Sequence, residues 1–142
     1  MSIQSVLLPV LLEVGLVFAL LALMAKTRRD GFHAGIRPSD VALSDAAFPV
    51  RARQAANSYA NQFEMPVLFM LAVIFGWVLH QTGWLFVILE WVFVGFRFAH
   101  AAEHVTANRL AIRGPLFLVS AAVTALLWLL IFVGVFFGTV IA

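Results

Sequence analysis

The 142-residue sequence contains no cysteine. Disulfides and thiolate-ligated metal sites are therefore excluded, and cysteine usage carries no signal of redox compartment. Charge is scarce as well. Lys, Arg, Asp and Glu make up 11% of the residues, against roughly a quarter in an ordinary globular chain. The formal net charge is only +2, and the basic residues are not interleaved with aromatics on a polar surface. A nucleic-acid partner is not expected. No nucleophile elbow, phosphate-binding loop or dinucleotide-binding glycine pattern is present. There is no internal repeat and no low-complexity tract.

Apolar surface is what the chain has in abundance. Hydrophobic residues make up 63% of it and the mean hydropathy is +1.02. A soluble domain of this length has too little interior to hide so much. The expectation is an all-α integral membrane protein in the lipid bilayer, multi-pass, with residues 1–142 forming one four-helix domain. A transmembrane β-barrel does not fit, because the apolar segments are continuous rather than alternating.

Crossing about 30 Å of hydrocarbon takes roughly 20 helical residues. Four segments qualify. The first, about 4–25, contains Pro9 and Glu13. The second is apolar over 65–79, with a helical pattern that begins near residue 48. The third covers about 84–104, and the fourth is read as starting at Pro115. No Lys or Arg precedes the first segment, whereas Lys26, Arg28 and Arg29 follow it. That is the flank of a retained anchor, not of a cleaved signal peptide. The cations of the first connection and of the start of helix two (Lys26, Arg28, Arg29, Arg37, Arg51, Arg53) stand opposite a second connection, HQTG, that has none. Arg109 and Arg113 follow span three. The positive-inside rule then puts both termini outside and the first and third loops in the cytoplasm.

Residues 51–70, RARQAANSYANQFEMPVLFM, carry polar groups into an apolar span. At about 100° per residue, Arg53, Asn57, Asn61 and Glu64 fall within about 80° of arc and form one stripe. A helix of roughly thirty residues exceeds the hydrocarbon thickness, so its start should protrude on the cytoplasmic side. Pro66 cannot donate to the carbonyl of Gln62, which predicts a kink near 62–66. Helix three carries a matching face of Glu90, Arg97, His100 and His104. Arg97 cannot give up its charge and needs a carboxylate, for which Glu64 and Glu90 are the candidates. The two stripes meet at the inner leaflet with Arg113 beside them. The result is a cytosol-facing polar pocket suited to a charged ligand next to a lipophilic one. Glu13 lies mid-span with no partner in its own helix. Protonation, a hydrogen bond and pairing at a subunit contact are all open to it.

Two other readings of these residues stand beside this one. The network is structural or binds a small anion in a non-catalytic membrane protein. Alternatively HAAEH, residues 100–104, is an inverted zinc-protease motif with His100 and His104 as ligands and Glu103 as base. The zinc motif has no third ligand after residue 104, so metal binding is not expected.

The chain resembles the MAPEG family, the membrane-associated proteins in eicosanoid and glutathione metabolism, and its bacterial-type members in particular. The resemblance rests on four short spans, N-x-x-E before a proline on span two, and R-x-x-H-x-x-x-H followed by an arginine after span three. It implies a homotrimer, in the inner membrane of a bacterial cell, with glutathione as co-substrate bound in a cleft between subunits. It implies glutathione-dependent transferase or peroxidase-like activity on lipophilic electrophiles. Asn61 and Glu64 match residues that contact glutathione, and Arg97, His100 and His104 match ligand-facing positions of span three. Arg113 matches the arginine that favours the thiolate. Asn57 stands where the family commonly has arginine, with Arg53 one turn further out, and His104 stands where tyrosine is usual.

Overall fold

The structure, a computed structural model, describes residues 2–138. It contains five α-helices: α1 Ile3–His33, α2 Val50–Ala60, α3 Met65–Val78, α4 Trp84–Val105 and α5 Leu110–Phe137. Short 3-10 turns lie at Pro38–Val41, Asp45–Ala47 and Asn61–Phe63. The described residues contain no strand. With α2 and α3 taken as one broken span, four helical segments are long and apolar enough to cross a membrane.

Each helix buries one stripe and leaves the rest facing out. On α1 the buried positions are Val6, Pro9, Glu13, Leu16 and Leu20, spaced alternately three and four residues apart. That spacing keeps them on one side of a helix. On α4 the stripe runs Phe86, Glu90, Phe93, Arg97, His100 and His104. Large apolar side chains cover the outer faces: Leu11 is 63% exposed, Phe18 64% and Leu118 66%. Such a surface is stable against lipid and unstable in water. α4 packs along α5, α1 against α2 and α4, and α3 against α5. Between them lies an apolar core in which Phe69 of α3 stacks on Phe93 of α4, with centroids 4.0 Å apart and planes 9° apart.

The Phe86 ring of α4 packs directly on Gly76 of α3. A Cβ there would lie 2.6 Å from Cζ of Phe86, a ring that is itself buried. Gly76→Ala is expected to lower stability by about 1–3 kcal/mol, since the ring has nowhere to move. Gly15 has open space around it, so Gly15→Ala is the control. Detergent-phase melting of both variants checks the contrast, and equal melting points would refute it.

The helix of span two breaks where the proline predicts. The α-helix stops at Ala60, a 3-10 turn covers Asn61–Phe63, and helix resumes at Met65 with Pro66 in its first turn. Span four differs from expectation. Its helix begins at Leu110, five residues before Pro115. Asn108 takes a left-handed turn (φ 51°) and Arg109 is extended, which frees the chain to start helix at once. Arg113 therefore sits inside the first turn of α5 rather than ahead of it. α1 also continues to His33, past the apolar limit at residue 25. At about 1.5 Å per residue its 31 residues exceed the hydrocarbon thickness by several turns.

Candidate functional site

Arg97 occupies a core position of α4 and is fully buried. A guanidinium keeps its charge, so its burial demands compensation. Among the described residues Nη2 finds hydrogen-bond acceptors, whereas Nε and Nη1 have none. Glu13 of α1, also fully buried, brings Oε1 to 3.8 Å from Arg97 Nε. Arg97 Nη2 donates toward the backbone carbonyl of Asn61 at 3.2 Å, Asn61 Oδ1 at 3.0 Å and Gln62 Oε1 at 3.1 Å. The break in span two explains that cluster. In a continuous helix the Asn61 carbonyl would accept from the N–H of residue 65. Here the chain leaves helical geometry at Glu64, and Arg97 supplies the donor instead.

The partner of Arg97 is thus Glu13, not Glu64 or Glu90. Glu13 and Arg97 occupy core stripes of helices that pack side by side, so the two opposite charges face each other within one chain. Glu64 is exposed and accepts from Asn61 Nδ2 at 3.0 Å. Glu90 lies in the same stripe of α4, fully buried, with neither carboxylate oxygen hydrogen-bonded among the described residues. The Asn61 amide is oriented by these contacts: its oxygen faces Arg97 and its nitrogen faces Glu64. Gln62, which the polar stripe of span two did not include, is buried and bridges Arg97 to the Ser58 carbonyl at 3.1 Å. Its signal in the sequence was an amide one residue off the stripe, hence turned inward.

The histidines sit next to the start of α5. His100 is 3% exposed and His104 6%. His100 Nδ1 lies 3.0 Å from the carbonyl oxygen of Arg113. A carbonyl only accepts, so Nδ1 carries the hydrogen and the lone pair of the neutral ring is on Nε2. Among the described residues, that Nε2 has no hydrogen-bond partner, and neither does Nδ1 of His104. The two rings meet edge to face with centroids 5.7 Å apart. The Arg113 guanidinium donates from Nη1 to Oδ1 of Asn108 at 2.6 Å. Asn108 was not singled out in the sequence; its left-handed turn is what presents that oxygen.

A cavity of about 240 Å³ opens among these groups, lined by Asn61, His100, His104, Leu110, Arg113, Gly114 and Phe117. It brings together Asn61, His100, His104 and Arg113, with Arg97 and Glu64 one contact behind Asn61. Arg53 and Asn57 do not line it; both are exposed on α2. The zinc motif is not assembled. Glu103 turns away to Arg109, accepting from its backbone N–H at 2.9 Å and its guanidinium at 2.9 and 3.1 Å. Among the described residues no three His, Asp or Glu side chains gather as a metal site. Elemental analysis of detergent-purified protein is expected to find far less than one zinc per chain. Stoichiometric zinc would contradict this.

A cation, two imidazoles and an amide around a cavity with apolar walls can hold an anionic group and stabilise a thiolate. The fold and this site describe a helical bundle, with four segments able to cross a membrane, that holds a buried ionic cluster beside an apolar-walled cavity. The chain belongs to the MAPEG family: the family model matches residues 6–133. That family is associated in general with glutathione-related transferase and peroxidase-like roles. No curated protein and no solved structure gave a match.

Proposed function

We propose that the protein is a glutathione-dependent membrane enzyme acting on lipophilic electrophiles, either by conjugation or by peroxide reduction. The observation that carries this reading is the cavity joining Arg113 to Asn61, His100 and His104 in a chain of this family. Arg113 is assigned the catalytic role, holding the glutathione sulfur as thiolate. Asn61, Glu64, Arg97, His100 and His104 bind or orient the tripeptide. Arg53 and Asn57 continue the polar strip outward and would meet the ligand's carboxylates beyond the cavity. We place the site on the cytosolic side, with both termini outside, and take the working assembly to be a homotrimer with glutathione between neighbouring subunits. In a bacterial cell the membrane is the inner one.

The chemistry follows from desolvation and charge. Loss of water in an apolar-walled cavity opposes ionisation of a thiol, and a neighbouring guanidinium offsets this by favouring the anion. The thiolate then attacks an electrophile that arrives through the bilayer. A second reading, in which the network is structural or binds a simple anion, is favoured by one observation: Arg97 is already engaged by Glu13, Asn61 and Gln62 without any ligand. Melting of the detergent-purified protein with glutathione separates the two. Binding should stabilise it by about 2.7 kcal/mol at roughly a hundred times Kd. No shift at millimolar glutathione, together with no turnover of a model electrophile, would favour the structural reading.

A further inference from the structure

We propose that His100 is the proton acceptor for the thiol, with Nε2 as the accepting atom. The inference rests on the glutathione reading and goes beyond it, since that reading asks only that Arg113 stabilise the anion already formed. Geometry selects His100. Its Nδ1 is committed to the Arg113 carbonyl at 3.0 Å, a backbone atom of the first turn of α5. That contact locks both ring orientation and tautomer. The lone pair is left on Nε2, buried and without a donor, on a ring that lines the cavity. A buried imidazole nitrogen with no partner is an unfilled acceptor. A thiol beside the Arg113 guanidinium would supply the missing hydrogen.

The groups that surround His100 are accounted for on each element. On α4 itself they are Arg97 and His104, while Glu103 points away to Arg109. On α5 it is Arg113. At the break in span two, Glu64 is held off by Asn61, and on α1 Glu13 faces Arg97. Among the described residues no carboxylate pairs with the imidazole and its charged neighbours are the Arg97 and Arg113 guanidiniums, so the counter-ion of the imidazolium is the thiolate itself.

The step balances. The S–H bond breaks, its electron pair stays on sulfur, and an N–H bond forms at Nε2. The thiolate pair makes the S–C bond to an activated alkene. The displaced electron pair, now on the neighbouring carbon, takes the proton back from Nε2. The enzyme is returned to its starting state without any other reactant.

Calorimetric titration with glutathione, in two buffers of different ionisation enthalpy, counts protons released on binding. Ultraviolet absorbance counts thiolate formed. At about pH 7 free thiols are protonated, their ordinary pKa being about 8.5. The wild type is expected to form thiolate while releasing almost no proton to the buffer. His100→Asn keeps an N–H at the Nδ1 position but deletes Nε2. It should either release about one proton per thiolate or form no thiolate. The inference is overturned if the wild type releases about one proton per thiolate, or if His100→Asn forms thiolate with no more release than the wild type. If that variant does not fold, the wild-type proton count decides alone. Absence of both heat and thiolate in the wild type would instead overturn the glutathione reading.

Discussion

Arg97→Met is expected to destabilise the protein by about 3–5 kcal/mol, because it removes one partner of a fully buried pair. Glu13 would be left in the core with no cation near it, and its two oxygens have no hydrogen-bond donor even now. The broken turn of span two would also lose the donor that serves the Asn61 carbonyl, Asn61 Oδ1 and Gln62 Oε1. Each acceptor stranded in this way costs about 1–3 kcal/mol. The counterpart is Glu13→Gln combined with Arg97→Met. With both charges gone, the part of the loss that belongs to the unpaired carboxylate should be recovered, while the part due to the stranded acceptors of span two remains. Denaturation of the two single variants and the double variant in detergent gives the coupling directly. Additive losses would mean that Glu13 and Arg97 do not act as a pair.

The second large effect concerns chemistry. Arg113→Ala should remove the thiolate absorbance of bound glutathione and lower kcat/KM by about 100- to 1000-fold, the usual effect of deleting one preorganised donor. Stability should fall by only about 1 kcal/mol, because the side chain makes a single hydrogen bond, to Asn108, at the rim of the bundle. The His100 contact survives, since it is made to the backbone carbonyl. Arg113→Lys keeps the charge but loses the planar fork, so it should retain part of the thiolate signal. An unchanged thiolate signal in Arg113→Ala would remove the arginine from its assigned role.

The spans were legible in the sequence because lipid leaves few alternatives to long apolar helices. The broken turn was legible because Pro66 is a local cause with a local effect. His100 and His104 could be placed on one face with Arg97, because that face follows from helix periodicity alone. Partners across helices were not legible. Periodicity shows that Glu13 and Arg97 each face inward but not that α1 lies beside α4, so Glu13 had no partner and Arg97 had two wrong ones. The start of α5 at Leu110 is not legible for a related reason. Pro115 looks like a first-turn residue, whereas the actual start is set by the turn at Asn108 and Arg109, whose backbone conformation leaves little trace in composition.

Only part of the polar stripe of span two reaches the cavity. Asn61 turns inward at the break and becomes the hinge between Arg97 and Glu64, while Arg53 and Asn57 remain outside. A ligand that reaches from Arg113 to Arg53 would have to extend well beyond the cavity. The relative importance of these positions follows: Asn61→Ala should weaken glutathione binding more than Asn57→Ala, as two titrations would show.

The most direct measurement is a structure of the detergent-purified protein determined with glutathione present. The account predicts the sulfur beside the Arg113 guanidinium and within hydrogen-bond reach of His100, with the tripeptide passing Asn61. Glutathione bound elsewhere, or an empty cavity at saturating concentration, would contradict it.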